Sequence, residues 1–213
     1  NGGSLLALLS YPFAFEPAFE IARQGQLWSW GFTAFAICCA VCAIANAVSK
    51  TDAVVSDAVS SQPEAEPTPP TRADRSLWIA LPMTACVLLI AATNQICQEV
   101  AVIPFLWVVP LALYLLSFIL TFDSSRWYRR TLWYGGLIVS AAASVWLMLS
   151  GGQAPMLQQL AANFAMLFCG CMVCHGELVR MKPHSRYLTS FYLCLSAGGA
   201  LGGMFVGLLA PRL

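Results

Sequence analysis

The chain has 213 residues, of which 59% are hydrophobic and only 10% charged, with a formal net charge of +1 and a mean hydropathy of +0.70. A soluble domain carries roughly a quarter charged residues, so this composition cannot cover a water-facing surface. It excludes the soluble globular classes, and no nucleic-acid partner is expected of it.

A helix that crosses a bilayer needs about 20 apolar residues, because lipid offers the backbone no hydrogen-bond partner. Taken in chain order, residues 4–15 form a short apolar run without an initiator Met before it, which reads as the tail of a helix cut at its start. Residues 16–26 are mixed and read as an interfacial turn of helix. Residues 28–48 are long enough to span. Residues 49–75 (SKTDAVVSDAVSSQPEAEPTPPTRADR) are rich in Ser, Ala, Pro and acids. They offer too little apolar surface to offset their ordering entropy, so a disordered linker is expected there. Five further spans follow, at 77–93, 102–122, 132–149, 156–173 and 188–209. Trp28, Trp30, Trp78, Trp127, Tyr128, Trp133, Tyr134 and Tyr187 cluster at their ends, as interface anchors do. The expected fold is an all-α integral membrane bundle of about seven transmembrane helices, the first one truncated. Residues 1–48 make a two-helix membrane part and 76–213 a five-helix part, joined by the linker.

If the helices alternate in direction, the connections 49–76, 122–131 and 174–187 share one side and hold nine of the eleven basic residues. Arg23 and Arg212 are left for the other side. The positive-inside rule makes the nine-residue side cytoplasmic, so the chain starts inside and ends outside.

Four groups of residues could carry chemistry. Seven of the nine cysteines lie within apolar runs, where small soft side chains pack at helix contacts. Cys171-Met172-Val173-Cys174-His175 matches the C-x-x-C-H attachment pattern of c-type haem. The match is disfavoured, because it lies at the end of an apolar helix and on the side assigned to the cytoplasm. The other histidine, His184, stands nine residues on in the same connection. No cofactor and no metal ligand set is expected.

Asn94, Gln95 and Glu99 lie in an outer connection. Polar groups near hydrocarbon face a bundle interior or water, so these three either line an outward-facing polar pocket or cap helix ends in a short solvated loop. On the inner side, His175 and Glu177 could handle a proton between them, and Glu177 could pair with Arg180 three residues on. The alternative there is a basic helix end at the lipid headgroups. In the last span, Gly199, Gly203 and Gly207 recur at spacing four, the small-xxx-small pattern that lets two membrane helices approach closely.

The segments NGGSLLALLSYPFAFEP, ATNQICQEVAVIPFLWVVPLALYLLSFIL and CHGELVRMKPHSRYLTSFYLCLSAGGALGGMFVGLLAP resemble the membrane region of bacterial fused proteins. Those proteins join a transporter-like helical part to a spermidine-synthase-like domain. The resemblance covers most of the chain apart from the linker, and it implies a neighbouring soluble domain of methyltransferase-like fold that binds the donor and the polyamine. That domain is missing from this chain, so aminopropyl transfer is not expected of these residues. What the resemblance implies is a non-catalytic membrane domain with a transport, channelling or anchoring role in a bacterial inner membrane, and the lipid bilayer and a fused soluble domain as partners. A second reading is an accessory subunit packed among other membrane subunits, and a third is a haem-c redox subunit.

Overall fold

The chain is described from a computed structural model covering residues 2–53, 69–99, 105–124, 126–150 and 154–212. All the regular elements among them are helical. They are α1 (Gly2–Ser10), α2 (Ile21–Ala53), α3 (Arg72–Glu99), α4 (Phe105–Asp123), α5 (Arg130–Leu149), α6 (Met156–Arg180) and α7 (Leu188–Met204). A π-helical turn, Tyr11–Phe15, extends α1, and another, Phe205–Leu209, extends α7.

Five of these stretches are long and apolar enough to cross a membrane: Ile21–Asn46, Arg72–Cys97, Arg130–Leu149, Met156–Arg180 and Ser185–Arg212. The apolar stretches Gly2–Phe15 and Trp107–Asp123 are shorter. Of the about seven expected spans, five therefore meet the length among the described residues; the first is the one expected to be truncated, and the expected start of the fourth, at 102–104, lies outside the described residues.

The helix ends differ from those expected for a reason visible in the chain. α2 begins at Ile21 and runs through Ala53, absorbing part of the turn expected at 16–26. α3 begins inside the expected linker because Thr71-Arg-Ala-Asp74 is a capping box. The Thr71 backbone N–H donates to Asp74 Oδ2 at 2.9 Å, and the Asp74 N–H donates back to Thr71 Oγ1 at 3.1 Å. The core of the expected linker, residues 54–68, lies outside the described residues.

The chain divides into two compact units, residues 10–67 and residues 1–9 with 68–213. In the first unit, Tyr11 Oη donates to Gln24 Oε1 at 2.8 Å, and Gln24 Nε2 donates to the Phe19 carbonyl at 2.7 Å. These bonds fold the Tyr11–Phe15 turn back on α2 over an apolar cavity lined by Phe15, Trp28, Phe32 and Phe35. None of the described span Ile21–Asn46 is buried.

In the second unit, α6 packs against α3, α4 and α5, and α3 in turn carries α7. Two apolar clusters form its core. One joins Ala85 and Ala92 of α3 to Leu167, Cys171 and Cys174 of α6. The other joins Trp78, Leu178 and Phe191, with the Trp78 and Phe191 rings edge to face at 5.3 Å.

The close approach of α7 to α3 is made by glycines, one residue earlier than the expected stripe. A Cβ on Gly198 would meet the Ile79 carbonyl oxygen and Pro82, and one on Gly202 would lie 2.6 Å from the Met83 carbonyl oxygen. Gly199, Gly203 and Gly207 have nothing within 4 Å of that position. Spacing four is kept, but one residue along a helix is a turn of about 100°, which carries the expected set off the interface.

This packing predicts unequal responses to the same small change. Gly198→Ala must push backbone apart and should cost about 1–3 kcal/mol, the usual penalty of overpacking. Gly199→Ala meets open space and should be neutral or stabilising by up to about 1 kcal/mol through helix propensity. Thermal unfolding of both variants in detergent would check this, and equal midpoints would refute the close contact.

Candidate functional site

The residues with chemistry converge on one end of the second unit, around His175-Gly176-Glu177 near the C-terminal end of α6. Consecutive helical residues point about 100° apart, and these three meet three different partners.

His175 is 1% exposed. Its Nδ1 lies 3.0 Å from Ser117 Oγ of α4, and its ring stands edge-on to Tyr114 at 5.0 Å and to Phe118 at 5.2 Å. Ser117 Oγ also lies 2.8 Å from the Tyr114 carbonyl. The serine hydroxyl can donate or accept, so which of Oγ and Nδ1 gives the proton is set by the imidazole tautomer. Nε2 is buried and, among the described residues, has no partner.

Gly176 is where the Tyr128 ring lies flat against the helix: a Cβ at this position would run into three carbons of that ring. Glu177 takes three hydrogen bonds. Tyr128 Oη donates to Oε1 at 2.7 Å, and Arg130 donates from Nε at 2.7 Å to Oε1 and from Nη2 at 3.1 Å to Oε2. The fork-on-fork geometry matches guanidinium to carboxylate. The Tyr128 phenol is held well above its ordinary range, first by burial and then by the hydrogen bond to Glu177 and the charge of that carboxylate.

The structure separates several residues that the sequence grouped together. His175 and Glu177 do not face each other: the imidazole is turned into the core and the carboxylate toward α5. Glu177 pairs with Arg130 rather than Arg180, which is exposed at the last position of α6. Cys171 and Cys174 are buried in the cluster with Ala85, Ala92 and Leu167, so a macrocycle bonded to both would have to displace α3. In the outer group, Asn94 is exposed and Gln95 half-buried. Glu99 ends α3, and its side chain lies outside the described residues.

Ser117 was not singled out from sequence, and Tyr128 and Arg130 were read only as an interface anchor and a basic residue of a connection. Ser117 carried a faint signal, as a hydroxyl inside the apolar run 105–122 with Thr121 one turn on. Tyr128 and Arg130 carried no sign of a shared partner, because Glu177 is 49 and 47 residues away.

The same contacts collect the charged connections. Arg130–Glu177 ties the start of α5 to the end of α6, and Trp78, Leu178 and Phe191 tie the start of α3 to the end of α6 and the start of α7. Arg72, Arg75, Arg126, Arg129, Arg130, Arg180, Lys182 and Arg186 thus belong to one end of this unit, and all eight are exposed.

No protein-family profile, curated protein or solved structure matches the chain.

The environment of Tyr128 gives a pH test. Burial and the neighbouring carboxylate both disfavour the phenolate, so the neutral phenol contributes stability that is complete below about pH 10 and is lost as pH rises further. In a titration of phenolate absorbance, with Tyr128→Phe as the blank, this tyrosine should ionise above the ordinary tyrosine range. Glu177→Gln removes the negative neighbour and should bring that ionisation down toward the ordinary range. A Tyr128 that ionises near pH 10 in the unaltered protein would contradict the clamp.

Proposed function

We propose that this chain is the membrane-embedded, non-catalytic part of a larger protein, an anchor that holds a soluble spermidine-synthase-like domain at the cytoplasmic face of a bacterial inner membrane. The observation that carries this reading is the use made of the polar side chains in α6. His175 bonds to Ser117 and Glu177 to Tyr128 and Arg130. The groups that could have formed a proton or cation path serve instead to join helices.

The spans support anchoring for the same reason. Many of their hydroxyls bond to carbonyls of their own helix, as in Thr84 to Ala80, Thr93 to Leu89, Thr121 to Ser117 and Ser196 to Tyr192. Such bonds stabilise a hydroxyl in lipid without opening a polar route. The eight exposed cations at one end of the unit favour that end as the cytoplasmic one, with connections 49–76, 122–131 and 174–187 on that side. The soluble domain is inferred from the sequence resemblance.

A second reading, an accessory subunit within a larger membrane complex, is favoured by α2. Its span is apolar on every side and carries exposed Trp28, Trp30, Phe32, Phe35 and Ile37, a surface that suits other helices as well as lipid.

Purification from native membranes in mild detergent, with mass spectrometry of whatever travels with the chain, separates the two. The anchor reading expects a spermidine-synthase-like domain, covalently attached or stoichiometrically bound. A large assembly of unrelated membrane subunits would replace it with the accessory reading.

A further inference from the structure

A groove runs along the first two turns of α5, with a volume of about 590 Å³, lined by Arg129, Thr131, Leu132, Gly135 and Gly136. Its lining is graded. A guanidinium and a hydroxyl stand at the end beside the basic connection, Leu132 follows directly, and the two glycines stand about 9–10 Å along the span from Arg129, at 1.5 Å per residue. The groove exists because α5 has no side chains where it passes: a Cβ on Gly135 would have nothing within 4 Å, whereas one on Gly136 would meet Cys169 Sγ at 3.1 Å. Gly136 thus faces α6, and Gly135 faces open space.

The charge at the mouth is not spent on the protein. Glu177 is paired with Arg130, and among the described residues Arg129 and Arg126 carry no ion pair, while both are exposed. The mouth also stands at the depth where headgroups lie. Trp133 Nε1 donates to the Trp127 main-chain carbonyl at 2.8 Å, which orients the Trp133 indole next to the mouth, and such amphipathic rings settle at the membrane interface.

We propose that this groove binds one anionic phospholipid, with its phosphate at Arg129 and Thr131 and the upper part of an acyl chain along Leu132, Gly135 and Gly136. A positive mouth selects an anionic headgroup over a zwitterionic one. The apolar continuation into the span selects a lipid over a free phosphate, which would leave the glycine end unfilled.

The test is native mass spectrometry of the full chain in detergent, titrated with phosphatidylglycerol or with phosphatidylcholine of the same acyl chains. Phosphatidylglycerol should be retained in preference. Arg129→Gln should weaken that retention about fivefold, the factor one basic side chain near an anionic surface is worth, while Arg129→Lys keeps most of it and Arg212→Gln changes nothing. Gly135→Leu fills the groove from an open position, so it should lower retention with the charge intact. Equal retention of the two lipids would overturn the proposal, as would equal losses in Arg129→Gln and Arg212→Gln. Full displacement of phosphatidylglycerol by inorganic phosphate would also overturn it, in favour of a site for free anions.

Discussion

The hydrogen bond between Ser117 and His175 places an imidazole between α6 and α4, and the residues after it inherit that register. Once His175 faces α4, helical geometry turns Gly176 toward the 124–129 connection and Glu177 toward the start of α5. The three contacts differ in kind. The first is a buried hydrogen bond within an aromatic frame, the second a close approach of ring to backbone, and the third a forked ion pair at a half-exposed edge. An ion pair with one partner so exposed is screened by water and adds little stability. Its value here lies in fixing orientation, since it lets one rotational setting of α6 satisfy both neighbours.

The remaining contacts of the unit follow the same economy of space. Lipid tails are as apolar as leucine, so helices in a membrane gain little by hiding apolar side chains from lipid and associate through close packing and hydrogen bonds. α6 meets α3 through Cys171, Cys174, Ala85 and Ala92, and α7 meets α3 through Gly198 and Gly202 beside Pro82. Small residues on both sides bring backbones together, and Trp78 and Phe191 fill the wider gap at the charged end. Among the described residues, a core closed in this way holds three buried polar side-chain atoms with no hydrogen-bond partner, Trp78 Nε1, His175 Nε2 and Ser144 Oγ. The first two lie at the end where the clamp is built, and Ser144 lies well along α5 from it.

Much of the architecture was legible in the chain because composition and run length are strong signals in so apolar a sequence. The helical class, the positions of the long spans and the grouping of basic connections follow from apolar runs and charge alone. Helix ends were less legible: the Thr71–Asp74 cap, with its acid three residues on, was hidden inside a stretch whose composition reads as linker. The glycine run announced a close contact, but two interleaved sets, Gly198 with Gly202 and Gly199 with Gly203, have the same spacing, and only the position of α3 chooses between them. At the site, His175 and Glu177 were visible as unusual residues at the end of an apolar helix, while their partners were not. Ser117 and Arg130 are 58 and 47 residues away, and no local pattern encodes a contact of that range.

If the polar residues of α6 exist to hold helices together, the chain should pass no polycation. Uptake of labelled spermidine into liposomes containing the purified protein tests this directly. The anchoring role predicts uptake equal to that of empty liposomes, with or without Glu177→Gln. Saturable uptake that Glu177→Gln abolishes would mean that the clamp is part of a path, and would contradict it.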